Sequence, residues 1–121
     1  LRVIPPQGLS GSDPTPGMRR EQAFEAGSLW AGLVHTEPGA VSGWHHHGDH
    51  DSSLYLLTGR MRLEFGPGGA DAVEAGPGDF VHVPAHVVHR ESNPAEQVAT
   101  AVVGRSGTGA PTVNVEGPDP A

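Results

Sequence analysis

The sequence predicts an all-β domain, and three observations predict it. Glycine and proline contribute 18 and 12 of the 121 residues, a load that helix interiors tolerate badly and turns use. Several short segments alternate apolar and polar residues with a period of two, the pattern of a strand with one buried face. Turn signals separate these segments at intervals that suit a sandwich or a barrel. A chain of this length is one small domain with room for a single core.

The elements follow in order. Residues 1–27 read as an irregular N-terminal arm, rich in proline and glycine up to Gly17, with a short helical turn expected over Arg19–Ala26. From Ser28 the pattern changes. Leu29, Ala31, Leu33 and His35 alternate against Trp30, Gly32, Val34 and Thr36, which reads as a strand that Glu37-Pro38-Gly39 ends. Ser42–His47 and Ser52–Thr58 are the next two strands. After Gly59, Arg60, Arg62 and Glu64 share one face and Met61, Leu63 and Phe65 the other, as in a half-buried antiparallel strand. Gly66-Pro67-Gly68-Gly69 is a turn. Segments 72–75, 80–83, 89–92 and 98–103 complete the run of strands, so the β-domain spans 28–104. Residues 105–121 read as a Gly/Pro-rich C-terminal tail.

Charge and composition exclude several function classes. The net charge is −7 and all seven cations are arginine, so there is no basic stripe for a nucleic acid and no attraction to an anionic membrane surface. Cysteine is absent, which removes disulfides and thiolate metal sites. No apolar run approaches the length of a membrane span and no signal peptide is visible, so a cytoplasmic protein is the default expectation.

Histidines cluster in two windows, 45–50 and 82–89. Neutral imidazole is the commonest metal ligand. On a strand, His45 and His47 point to the same face and can chelate one ion. His89 is the best candidate for a third ligand. His46 should point the other way. His35 and His82 read as core or outer-shell polar groups, with Glu91 or Asp79 as carboxylate partners for a ligating imidazole. Asn93 reads as a residue that holds its own turn.

At these residues the chain resembles the cupin family. The first cupin motif is Gly-x5-His-x-His-x3,4-Glu-x6-Gly, and Gly39, His45, His47 and Gly59 fall in register. The second is Gly-x5-Pro-x-Gly-x2-His-x3-Asn, and Gly78, Pro84, His89 and Asn93 fall in register. The resemblance implies a single-domain jelly-roll β-barrel with one divalent transition metal per chain, Zn, Fe, Mn or Ni, at the bottom of its mouth. It implies His45, His47 and His89 as ligands. Two positions depart from the pattern: Ser52 replaces the motif's Glu, and His86 replaces the glycine after Pro84. A fourth ligand is then expected from Asp51 or His50. Trp44, Ser52, Leu54, Met61 and Leu63 are expected to line the pocket.

No serine-protease-like spacing, phosphate loop or carboxylate pair offers a rival chemistry. The expected function is a metal-dependent enzyme acting on a small organic molecule, as a three-histidine dioxygenase or as a Lewis-acid cyclase, isomerase or lyase. Cupin dioxygenases and polyketide cyclases are the family precedents. His50 or His86 is the expected general base. The alternative is a non-catalytic cupin that binds or senses a small ligand. Family members often pair through terminal segments, so a homodimer is expected.

Overall fold

The computed structural model describes residues 1–109 and 112–119, with the backbone alone described at 12–14. Its strands are β1 (Ser10–Thr15), β2 (Met18–Ala26), β3 (Leu29–Thr36), β4 (His45–His46), β5 (Asp51–Thr58), β6 (Met61–Phe65), β7 (Asp71–Ala75), β8 (Phe80–Val83), β9 (Arg90–Ser92), β10 (Ala99–Ser106) and β11 (Val113–Asn114). The larger sheet has the order β1-β2-β3-β10-β5-β8, the smaller β7-β6-β9, and β11 pairs with β4. The pairings are antiparallel.

Alternation places the core. Trp30 and Val34 of β3, Leu54 and Leu56 of β5, and Ala99, Ala101 and Val103 of β10 face inward from the larger sheet. Met61 and Leu63 of β6 and Ala75 of β7 come from the smaller one, and all belong to a single buried cluster. Two antiparallel sheets around one apolar interior make an all-β jelly roll. Trp30 is the largest buried side chain. Its indole N–H donates to Gln22 Oε1 at 2.9 Å, and a Cβ on Gly32 would stand 2.7 Å from the ring. The glycine in an otherwise regular strand is what lets both the indole and the Glu21 carbonyl approach it this closely.

The N-terminal region departs from the sequence expectation. Residues 18–26 are strand β2 rather than a helical turn, and β1 and β2 extend the larger sheet instead of forming an irregular arm. Arg, Glu, Gln and Ala have good helix propensity, but pairing with β1 on one side and β3 on the other overrides it. A bulge at Ala23 shifts the β2–β3 register, with Gln22 opposite Gly32 and Phe24 opposite Ala31. At the other end, Val113 and Asn114 pair with His46 and His45, and Gly68 N–H donates to Asp119 C=O at 2.8 Å. Residues 112–119 thereby form a strap across β4, whereas 105 and 106, expected in the tail, close β10.

Asn93 closes the loop after β3. Its Nδ2 donates to the carbonyls of Thr36 and Gln97, and its Oδ1 accepts from Ala95 N–H. The side chain is buried. Asn93→Ala leaves these backbone groups unsatisfied and is expected to cost roughly 1–3 kcal/mol of stability, read by urea denaturation. No helix among the described residues is long and apolar enough to cross a membrane.

Candidate metal centre

The site grows from one cross-strand pair. His45 N–H donates to His89 C=O at 3.0 Å and His89 N–H to His45 C=O at 2.8 Å, so the two residues stand directly opposite each other. Residues at i and i+2 share a face of extended chain. His47 therefore joins His45, and Glu91 joins His89. The four buried side chains offer ligand atoms that all lie within 4.8 Å of one another. The His45 and His89 rings are 4.3 Å apart, and His47 lies 5.2 Å from the first and 5.0 Å from the second.

Backbone carbonyls fix which imidazole nitrogen faces the centre. His45 Nδ1–H donates to Gly43 C=O at 2.9 Å, and His89 Nδ1–H to Val87 C=O at 2.9 Å. Each leaves its Nε2 lone pair pointing inward, the outer-shell device that orients metal-binding histidines. Glu91 Oε1 lies 3.2 Å from His89 Nε2 and 3.7 Å from His45 Nε2. With both Nδ1 atoms protonated, these are acceptors facing acceptors. Such a contact is stable only with a proton or a cation between them. Glu91 Oε2 is buried without a hydrogen-bond partner, which points to a missing positive group.

Electrostatics agree. Burial alone would raise the Glu91 carboxyl pKa. Hydrogen bonds from His45 and His89, followed by their charge, outweigh it when these rings carry a second proton on Nε2, and hold the group well below the usual carboxylate range, so the carboxylate is ionised and ready for a cation in place of that proton. Ser42 braces the strand: its Oγ accepts Glu91 N–H at 2.9 Å, and its own N–H donates to Glu91 C=O at 2.7 Å. Three imidazoles and one carboxylate fit a divalent transition metal with nitrogen and oxygen ligands.

The other expected site residues lie differently. Neither His50 nor Asp51 belongs to the converging group. His50 is buried, but its Nδ1–H donates to His47 C=O at 2.9 Å and so braces the turn that presents His47. Asp51 is largely exposed and pairs with His82 at 3.1 Å. His86 is also exposed and pairs with Asp49 at 2.7 Å. It holds a φ of 64° at the position where the motif has glycine, a left-handed backbone that costs a side-chain-bearing residue. Ser52 Oγ accepts from Arg105 Nε at 3.1 Å, and Arg105 stacks on Trp30.

A cavity of about 240 Å³ opens against His89. Leu63, Phe65, Val81, Val83 and Val87 form apolar walls, and His82 touches the cavity edge from β8 with an imidazole that is exposed and paired with Asp51. Of the residues expected to line a pocket, Leu63 does so. Leu54 and Met61 are buried in the core, and Ser52 lines a separate groove beside Arg105. Trp44 stacks on the Arg90 guanidinium at 4.5 Å, and Arg90 pairs with Glu64 at 3.1 Å. That stack sits on the face of β9 opposite Glu91, because residue 90 alternates with 89 and 91. Reasoning from sequence placed Glu91 among partners of a ligand rather than with the ligands themselves. Its signal was the i, i+2 spacing from His89, the same spacing that joins His45 to His47.

Comparisons with known proteins agree on the fold. The polyketide cyclase RemF from Streptomyces resistomycificus superposes with a TM-score of 0.76 at 19% identity, over 95% of this chain and 85% of that one. KdgF from Halomonas sp. gives 0.69 at 22% identity, over 88% and 94%. Bacillus subtilis oxalate decarboxylase, described with Mn(II) centres, gives 0.71 at 21% identity, but 82% of this chain covers only 28% of that protein. No curated protein sequence matches the chain. The family model of the cupin domain matches residues 32–104, a stretch that contains every member of the converging group. With more than half of its length in that match, this chain belongs to the cupin family.

Proposed function

We propose that this cupin is a metal-dependent enzyme acting on a small organic molecule. The observation that carries the reading is the convergence of His45, His47, His89 and Glu91 beside an apolar cavity. When bound, a divalent ion there would supply Lewis-acid polarisation for cyclase, isomerase or lyase chemistry, or redox chemistry for a dioxygenation if it were iron. Likeness to a polyketide cyclase and to a manganese decarboxylase supports the first of these.

The chain's own residues supply the rest. Leu63, Phe65 and Val87 bury the apolar body of a substrate and exclude water from it. The His82 imidazole is not among them: it stands opposite the exposed Ser53, on the other face of β8 from Val81 and Val83, and pairs with Asp51. His50 and His86 stay the proposed groups for moving a proton.

The test is metal content by plasma mass spectrometry on untagged protein, followed by assays for product. About one zinc or manganese per chain supports cyclase, isomerase or lyase chemistry, and one iron directs the assays to oxygen consumption. No metal, with none taken up on soaking, overturns the proposal. A second reading, a non-catalytic ligand-binding cupin, is favoured by one feature: no carboxylate lines the cavity among the described residues. Stoichiometric ligand binding without product would select it.

A further inference from the structure

Strand register gives the cavity beside His89 a depth axis. Leu63 of β6 stands opposite Glu91 on β9 and opposite Val73 on β7. Residues directly opposite on antiparallel strands share a face, so Glu91, Leu63 and Val73 form one row across the smaller sheet. Neighbouring strands lie about 4.8 Å apart, which makes the row about 10 Å long. Exposure grades along it: Glu91 is 2% exposed, Leu63 3% and Val73 47%. The row therefore runs from the candidate metal ligands out to solvent. Val81 and Val83 make the facing wall. On β8 they stand opposite the buried Leu54 and Ser52, on the inner face of the larger sheet.

The chemistry of these walls is one-sided. Among the described residues, no Asp, Glu, Lys or Arg lines the cavity. None of the wall residues carries a buried polar atom that lacks a partner. Glu91 Oε2, at the closed end of the row, is such an atom, and it belongs to the four-ligand group. A polar substituent on the body of a ligand would lose its water here with no partner in exchange. A methylene in the same place gains by leaving water.

Building on the metal reading above, we infer that this site takes ligands with one oxygen-bearing head and an unbroken hydrocarbon or aryl body. The head lies at the metal end. The body lies along the Glu91–Leu63–Val73 row and meets solvent at Val73, which sets how long a body gains from the cavity. Dicarboxylates and polyhydroxylated ligands are selected against by the walls.

The test uses the full chain loaded with Co(II), whose visible absorption reports a ligand reaching the ion. The probes are straight-chain hydroxamates from acetohydroxamate to octanohydroxamate. All share one metal-binding head, so the series reads the body alone. Affinity is expected to rise about three- to fourfold per methylene and to level off once the chain passes Val73. A hydroxamate of equal length that ends in a carboxylate should bind at least about tenfold more weakly than its methyl-ended counterpart. Val73 is exposed, where substitutions barely affect stability. Val73→Asp should weaken the longer members about tenfold, the worth of two buried methylenes, and leave acetohydroxamate unchanged. A merely structural role for Val73 would weaken every member alike. Equal affinity along the series overturns the inference, and so does equal or tighter binding of the carboxylate-ended probe. A gain with length that Val73→Asp leaves intact places the body elsewhere and overturns it too. If the wild type takes up no cobalt, the metal reading fails and the inference falls with it. Uptake without dependence on chain length sinks the inference alone.

Discussion

Glu91→Gln is expected to lower affinity for a divalent transition metal at least about 100-fold while leaving the metal-free protein folded. Loss of an outer hydrogen-bond partner of a metal ligand already costs roughly 10–100-fold, and Glu91 is the only carboxylate in the converging group. The amide keeps the shape of the side chain. Its NH2 can donate to the lone pair of His89 Nε2, which now faces a carboxylate oxygen at 3.2 Å. The substitution thus replaces an acceptor facing an acceptor with a proper hydrogen bond. The metal-free variant should therefore melt at or slightly above the wild-type temperature, and only the metal-induced rise in Tm should disappear. Titration calorimetry with Zn(II) or Mn(II), beside thermal melts with and without metal, reads both. Unchanged metal affinity would remove Glu91 from the ligand set and return the search to Asp51, His50 or solvent.

This residue also shows how far the sequence could be read. His45 and His47 are legible because two imidazoles at i and i+2 on a strand must share a face. His89 is legible because it keeps its distance from Gly78 and Pro84. The carboxylate is harder. The family pattern directs attention to position 52, where a serine stands, and its hydroxyl is engaged by Arg105. The carboxylate of this site stands instead two residues beyond His89, and becomes apparent once the bridge between His45 and His89 is known. Strand pairing is a long-range fact that local spacing does not contain.

The same limit explains the N-terminal region. Met18–Ala26 lacks strict alternation because a bulge at Ala23 breaks the period, and its residues favour helix in isolation. What makes it a strand is the free edge of β3. The buried Arg20 went unnoticed for a related reason: beside Arg19 and Glu21 it reads as one more surface charge, and only the direction imposed by the sheet turns it toward His45. The central strands were legible because each carries its own period, as in Met61, Leu63 and the intervening Arg62. Trp44 was expected to wall a pocket because it precedes the ligands. The alternation of Arg90 with its neighbours gives it a different partner.

The largest expected effect on stability is at Trp30. It is 2% exposed, carries the hydrogen bond to Gln22 and lies 5.0 Å from the Arg105 guanidinium. Trp30→Ala opens a cavity in the middle of the larger sheet, and substitutions of this kind cost about 3–5 kcal/mol. In a domain of this size that lowers Tm by roughly 10–20 °C, enough to consume much of a typical stability of about 5–15 kcal/mol. The candidate metal ligands stand on β4, on β9 and the residue before it, and between β4 and β5, not on β3. The folded fraction of the variant should therefore still take up metal with near wild-type affinity. Metal at about 100 times its Kd would then restore about 2.7 kcal/mol by binding only the folded state. Differential scanning calorimetry with and without metal separates the two contributions. A large loss of Tm that metal partly reverses is the expected result. If Trp30→Ala stays folded yet loses its metal, the floor of the larger sheet holds the ligands in place, and the site is less self-contained than its one cross-strand pair implies.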